Sequence, residues 1–242
     1  MFGNIKFNKE CMKIYTFEDL PQKISVIGNF DSSCKVRISD EALIAIENGR
    51  LKVRINKHGG KPVISKFSCS IGSVAGNVAI FVGNDDSAVT LEDGTSGVYD
   101  FRLWRSSKIK IGKKTTSNGL RVVCDNSEFI CGEDCMFSDK ILIQTADQHG
   151  IVDIDKGLII NDEFKSVILD DHVWLGRQCT LTAKARVGYG SVIGTGSLVS
   201  GKIPNKVIAV GTPARVIKEN HTWCRSPNSL DHFSKLYIDE NF

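Results

Sequence analysis

The sequence has no apolar run long enough to cross a membrane. Its longest, such as Val78 to Val82 and Val207 to Val210, fall far short of the roughly 20 residues a span needs. Its start, MFGNIKFNKECMKIY, carries neither an apolar signal region nor a cleavage site. Both absences lead us to expect a soluble, cytoplasmic chain with no integral membrane segment. No basic block stands out either. The 31 Lys and Arg against 28 Asp and Glu leave a formal charge of only +3, which argues against nucleic acid as a partner. Small anionic ligands stay open, because they need only local charge. The eight cysteines (Cys11, Cys34, Cys69, Cys124, Cys131, Cys135, Cys179 and Cys224) include no CxxC pair. Cys131 and Cys135 form CxxxC without a His pair at zinc-finger spacing. Reduced thiols, buried as small apolar side chains, are the expectation.

At 41% hydrophobic and 24% charged residues, wholesale disorder is excluded, and 242 residues suit one large domain or two small ones. What the chain does have is a period. From Leu169 an aliphatic side chain returns at every sixth position: Leu169, Leu175, Leu181, Val187, Ile193 and Val199. The next residue is small or polar each time, and three of the six are glycine (Gly176, Gly188 and Gly194). A helix would instead bring apolar residues back three and four apart. The beat predicts a solenoid of short strands and tight turns, in which stacked copies share one apolar column.

Upstream the beat is less regular. Ile111 is followed at six-residue steps by Ser117 and Val123, Cys131, Phe137 and Ile143 form another run two residues out of phase with it, and Ile71 and Ile27 are isolated matches. Ile24 to Ile143 therefore reads as irregular coils with insertions. Arg50 to Val63 alternates apolar and basic residues and turns at Gly59-Gly60, which suggests a strand pair. Residues 144–166 have no beat and must protrude as a loop, and ordered loops on rigid scaffolds often carry function. The segment from Lys218 onward is polar, with Trp223, Phe233 and Tyr237 scattered in it. It reads as a short helix or extended tail packed on the coils. The organisation expected is an N-terminal cap over 1–22, a solenoid over 23–217 with its loop, and an extension over 218–242.

VWLG (173–176), the hexads to Val199 and IPNKVIAVGTPARVIK (203–218) resemble the bacterial hexapeptide-repeat acyltransferases. The similarity is to sugar O-acetyltransferases acting on galactosides, maltose or polysaccharides. The loop TADQHGIVD (145–153) with Ile160-Asn161 resembles the surface-polysaccharide members, such as the polysialic acid O-acetyltransferases. The strong match covers about residues 129–218. The resemblance implies an all-β, left-handed parallel β-helix of triangular section. The hand comes from the resemblance alone, since parallel crossovers are generally right-handed. It also implies a homotrimer with active sites between subunits, and acetyl-CoA lying along the C-terminal coils. The activity implied is acetyl-CoA-dependent O-acetylation of a capsular or lipopolysaccharide glycan, without a metal.

Acetyl transfer to a sugar hydroxyl needs a base to take the proton as the oxygen attacks the thioester. Histidine titrates in the right range. Of His58, His149, His172, His221 and His232, only His149 lies in the inserted loop, and it matches the family's catalytic histidine. Asp147, Asp153 or a backbone carbonyl are candidates to hold its ring. Trp174 falls at a turn after the loop and offers an N–H donor only. By resemblance it lies near the thiol end of acetyl-CoA; an exposed or subunit-packing aromatic is the other reading. Carried over likewise, Arg177 and Thr195 line the pantetheine arm, with Ser200 and Gly201 near its far end. Arg215 and Lys218 meet the phosphates or adenine. Many relatives have lysine where this chain has Gly201, so Lys202 is the candidate to supply that charge. His172 shares a face with Trp174 and reads as a surface histidine or a second acceptor contact.

Three other functions compete. The same base would serve N-acetylation of a nucleotide-linked amino sugar. Solenoids of this shape also occur in gamma-class carbonic anhydrases, but His149 and His172 stand without the third histidine a zinc ion would need. A non-catalytic solenoid for carbohydrate binding or assembly would bind no coenzyme.

Overall fold

The six-residue beat puts one aliphatic side chain on each face of a three-sided coil. Leu169, Leu175, Leu181, Val187, Ile193 and Val199 are all buried, and the strands that carry them stack in parallel on the next coil. The computed structural model describes residues 12–230 and, beyond them, only Lys235, Ile238 and Asp239. Within that span the chain forms a parallel β-helix. One inner column runs through Ile38, Ile71, Leu91, Ile111, Cys131, Leu169, Val187 and Ile203, each in register with the next and each buried. No coil could bury this row alone, so stacking is what makes the core.

Register explains the two-residue slip upstream. Ala88, Lys108 and Glu128 pair in sequence, so a coil there takes 20 residues. Trp174 pairs with Val192, so a later coil takes 18, which is three hexads. The change occurs at Thr116–Cys124. That long strand pairs with Met136–Phe137 through its start and with Ile141–Gln144 through its end. One wide face thus divides into two. Where strands bend in the wide coils the backbone approaches very closely. Gly97 has φ +124°, and a Cβ there would lie 1.8 Å from the carbonyl oxygen of Ser117. Only glycine fits.

Two insertions and two caps complete the chain. The first insertion is a helix, Asp40–Glu47, between the strands Lys35–Ile38 and Leu51–Lys57. The upstream coils were expected to be irregular and to carry insertions, and this helix is one of them. Ser39 caps it by accepting from the Ala42 N–H at 3.1 Å, and Ala42, Ala45 and Ile46 turn one face to the core. The second insertion is the loop before Lys165–Leu169. The strand pair read at Arg50 to Val63 is also corrected. Leu51–Lys57 does alternate inward and outward, but Val63–Ile64 pairs with Asn29–Phe30 on another face, because the Gly59-Gly60 turn is a corner of the coil rather than a hairpin.

At one end Lys13–Tyr15 lies antiparallel on Lys35–Ile38. At the other, Ala214–Glu219 folds back antiparallel on Val207–Gly211. Both terminal coils thus have an edge covered by a strand of opposite sense, which blocks further parallel growth there. Lys218 therefore belongs to a strand of the body, and the extension proper begins after it. The expected cap over 1–22 falls partly on residues outside those described, as do Phe233 and Tyr237. Six of the cysteines are buried and unpaired, Cys224 is half-buried, and Cys11 lies outside the described residues. Burial pushes the thiols of Cys69 and Cys124 up to about 12. Among the described residues no helix is long and apolar enough to cross a membrane.

Candidate active site

The inserted loop leaves the coil after Ile141–Gln144, and its backbone polar groups need partners away from the sheet. Asn161 supplies them. Its Nδ2 donates to the His149 carbonyl at 2.8 Å and to Asp147 Oδ2 at 3.2 Å, while its Oδ1 accepts from the Ile151 N–H at 2.8 Å. Beneath it, the buried ammonium of Lys165 donates to the Asn161 carbonyl at 2.8 Å. Arg105 ties the same loop to the coils through Asp125 at 2.8 Å and Asp162 at 3.0 Å. The outer part of the loop is a hairpin, Val152–Asp153 with Leu158–Ile159. Ile151, Val152, Ile154, Leu158, Ile159 and Phe164 are all exposed on it, with Ile154 at 91%.

His149 is exposed at the base of this loop and lines two cavities. One, of about 140 Å³, is walled by Asp147, Gly150, Ile159 and Asn161. The other, of about 390 Å³, is walled by Asn84, Trp104, Arg105, Asp125 and Gln148. The two sequence candidates for orienting the ring are engaged elsewhere. Asp147 accepts from Asn161, and Asp153 accepts from the Lys156 backbone and ammonium. Asn161 holds the histidine's backbone instead.

Trp174 stands apart from this site and lines neither cavity. Its strand, Trp174–Leu175, lies between Met136–Phe137 and Val192–Ile193. Its indole packs on that of Trp223 with centroids 6.1 Å apart, and its Nε1 is sealed from solvent with no partner among the described residues. His172 is not a surface residue. It is buried, with φ +54°, and stacks on Trp223 at 4.2 Å and 8°. Its Nδ1 meets Asp134 Oδ2 at 2.8 Å and its Nε2 meets the Trp223 carbonyl at 2.9 Å. In return the Trp223 Nε1–H donates to the His172 carbonyl at 2.8 Å. Arg225 closes the clip on Asp134 at 2.7 Å. Burial pushes the Asp134 carboxyl up, but the hydrogen bonds from His172 and Arg225 outweigh it and hold the group below the usual range.

The candidates for holding acetyl-CoA follow the C-terminal coils. Arg177 and Thr195 lie at neighbouring turns of one corner, where the Gly196 N–H donates to the Arg177 carbonyl at 2.8 Å. Ser200 and Gly201 form the turn after the following strand, Leu198–Val199, and Lys202 opens the next one, Lys202–Ile203. Arg215 and Lys218 lie on the closing strand Ala214–Glu219. All seven are exposed. Arg177 is paired with Asp139 at 2.6 Å, whereas Lys202, Arg215 and Lys218 have no acidic partner among the described residues. A Cβ at Gly201 would meet nothing within 4 Å. Exposed unpaired cations and open turn backbone suit a ligand with amides and phosphates. Among the described residues no group of three or more His, Cys, Asp or Glu side chains is placed to hold a metal.

The sequence reading did not find Asn161 as a brace, Lys165, or the His172–Trp223 clip. Lys165 had a signal, since it takes an inward position in the alternation Lys165, Val167, Leu169. The clip had none, because its partners are 51 residues apart.

No family model matches the chain. Individual proteins do. The polysialic acid O-acetyltransferase of Neisseria meningitidis is 30% identical over 219 residues, covering 90% of this chain and 84% of that protein. The polysialic acid O-acetyltransferase of Escherichia coli O1:K1 / APEC is 36% identical over 128 residues, covering 52% of this chain and 41% of that one. With the galactoside O-acetyltransferase of Lactococcus lactis the alignment spans 62% of the relative, so the chain covers less than two thirds of several curated relatives it matches. Among solved structures, the polySia specific acetyltransferase NeuO superposes with a TM-score of 0.75 at 26% identity, over 91% of this chain and 99% of that one.

Proposed function

The chain belongs to the left-handed β-helix, hexapeptide-repeat acetyltransferases, and from that premise we propose that it transfers an acetyl group from acetyl-CoA to a hydroxyl of a bacterial surface glycan. The observation that carries the reading is His149. It is the one histidine on the inserted loop, its backbone is clamped by Asn161, and it opens onto a cavity lined with polar side chains. Acetyl-CoA supplies an activated thioester; the chain's own residues do the rest. The neutral imidazole of His149 takes the proton of the acceptor hydroxyl as that oxygen bonds to the thioester carbonyl carbon. When the carbon–sulfur bond breaks, the imidazolium returns the proton to the departing thiolate. The balance is alcohol plus thioester to ester plus thiol. Trp174 is the residue we assign, as the resemblance implies, to the acetyl end of the coenzyme. Arg177 and Thr195 flank the pantetheine arm, Ser200 and Gly201 border its far end, and Lys202, Arg215 and Lys218 face the phosphates.

His149 and Trp174 line no common cavity within one chain. A homotrimer, with the loop of one subunit beside the C-terminal coils of the next, unites them. The exposed aliphatic side chains of the loop hairpin support this arrangement, because an apolar patch of that kind marks a contact surface. A cytoplasmic enzyme acting on capsular or lipopolysaccharide glycan before export fits this reading.

Thiol release from acetyl-CoA with a panel of bacterial glycans tests it. Acceptor-dependent release by the wild type, reduced at least about 100-fold in His149→Ala, is expected for a general base. Equal release by the two proteins removes His149 from that role. Mixing His149→Ala with Trp174→Ala subunits should restore part of the activity if each site spans two subunits.

A further inference from the structure

The larger cavity beside His149 has one aromatic wall, Trp104, that nothing in acetyl transfer accounts for. The ends of four stacked strands form this wall. Their backbone stays laddered past the strand ends: the His58 N–H donates to Val82, that of Gly83 to Leu103 and that of Trp104 to Cys124, all within 2.9 Å. The indole lies against backbone cleared by glycine. A Cβ at Gly83 would sit 2.4 Å from its Cε3, and one at Gly59 3.3 Å from its Cζ3. The ring of His58 abuts it edge-on at 5.2 Å. The platform is therefore fixed, while the indole N–H has no partner among the described residues. The other lining groups, Asn84, Arg105, Asp125, Gln148 and His149, are all polar and include no aliphatic side chain. One flat apolar face ringed by donors and acceptors matches a pyranose, which has an apolar face and equatorial hydroxyls.

The surface continues past His58. Phe81 lies 6.4 Å from the His58 ring, and the guanidiniums of Arg102 and Arg54 sit over it at 4.9 and 5.5 Å. Arg102 shares Asp100 with Arg121, but Arg54 is exposed and has no acidic partner among the described residues.

Accepting the reading of His149 as the base, we propose that Trp104 is the acceptor platform and that the acceptor is held as a chain. The sugar to be acetylated stacks on Trp104 and presents a hydroxyl to His149, with Asn84 and Gln148 bonding its neighbouring hydroxyls. The next residue along the glycan passes His58 and places an acidic group at Arg54. Trp104 is thus a positioning and specificity residue, not a proton carrier.

The test uses the full-length protein with two probe ladders, α2,8-linked sialic acid and neutral galacto-oligosaccharides, each from monomer to hexamer. In Trp104→Ala the KM for glycan should rise at least tenfold, with the KM for acetyl-CoA unchanged, and Trp104→Phe should recover most of the loss. Arg54→Ala should raise KM for the acidic dimer and longer chains, leaving the monomer and the neutral ladder unaffected. A wild-type glycan KM in Trp104→Ala, or an equal effect of Arg54→Ala on monomer and hexamer, overturns the proposal. Should the wild type release no thiol with either ladder, the acetyl-transfer reading fails separately. Calorimetric titration of the two hexamers then decides: binding by the wild type that Trp104→Ala loses supports the platform, and binding by neither protein, or by both, ends it.

Discussion

Asp134→Asn tests how the C-terminal strap is held. Asp134 has φ +50°, a conformation that asparagine also tolerates, so the change leaves the backbone undisturbed and removes only the charge. That carboxylate joins two side chains. The ring nitrogens of His172 lie against the Asp134 carboxylate and the Trp223 carbonyl, and Arg225 donates from its guanidinium. The His172 side chain is 5% exposed and that of Asp134 34%, so the group is partly screened. Hydrogen bonds to charged groups are worth about 1.5–3 kcal/mol each, and the asparagine oxygen keeps one acceptor. After allowance for exposure, a loss of about 2 kcal/mol is expected. For a chain of this size that lowers Tm by roughly 4–8 °C. The pH dependence has a definite sign. The native Asp134 pKa is depressed, so its contribution is present above the unfolded value of about 3.9 and is lost as pH falls through the lower native value. The gap between wild type and Asp134→Asn should be wide at pH 7 and should shrink in acid, as pH falls below about 3.9 and through the lower native value. Urea denaturation at pH 7 and in acid, with hydrogen exchange at the Trp223 and Cys224 amides, reads it. Equal stability within about 0.5 kcal/mol at pH 7, with equal protection of the strap, would refute the charge-based clip.

Other expectations are simpler. Ile193→Ala removes a fully buried side chain from the stacked column and should cost about 2–5 kcal/mol in chemical denaturation. Gly97→Ala forces a Cβ into the Ser117 carbonyl at positive φ, so it should yield little folded protein, while alanine at the open, negative-φ Gly201 should fold normally. Asn161→Ala releases the His149 carbonyl and should lower kcat at least tenfold and speed proteolysis within 145–164, with the coils' Tm changed little. Ile154→Asp, at the most exposed apolar position of the hairpin, should shift the sedimenting species from trimer towards monomer; an unchanged trimer would move the subunit contact off the loop.

The last third of the fold was legible because the code there is local: 18-residue coils keep one inward aliphatic per hexad from Leu169 to Val199. Upstream a 20-residue coil separates Ile111 from Cys131, and downstream the inserted loop stretches Cys131 to Leu169 to 38 residues, so Cys131, Phe137 and Ile143 looked like a separate run although they occupy the same kind of buried position. The helix Asp40–Glu47 spans little more than two turns, too few for its period to stand out, although Ser39-Asp40-Glu41 held the signal of its start. His149 stood out because an insertion interrupts a strict repeat. Its supports did not, since Asn161, Arg105 and Asp125 converge only once the coils stack. Trp104 illustrates the same limit: its significance lies in Gly83 and Gly59, which clear its bed from earlier coils.

The buried thiols have a kinetic consequence. Cys34 and Cys69 sit in the first coils, Cys124, Cys131 and Cys135 in the middle, and Cys179 nearer the end. Alkylating reagents attack the thiolate, and each of these sulfurs is shut inside its own layer until that layer parts from its neighbours. A stack joined only by adjacent contacts can peel from either end. The chain therefore carries its own set of timed labels. The order in which the six become reactive under mild urea records the direction in which the prism comes apart.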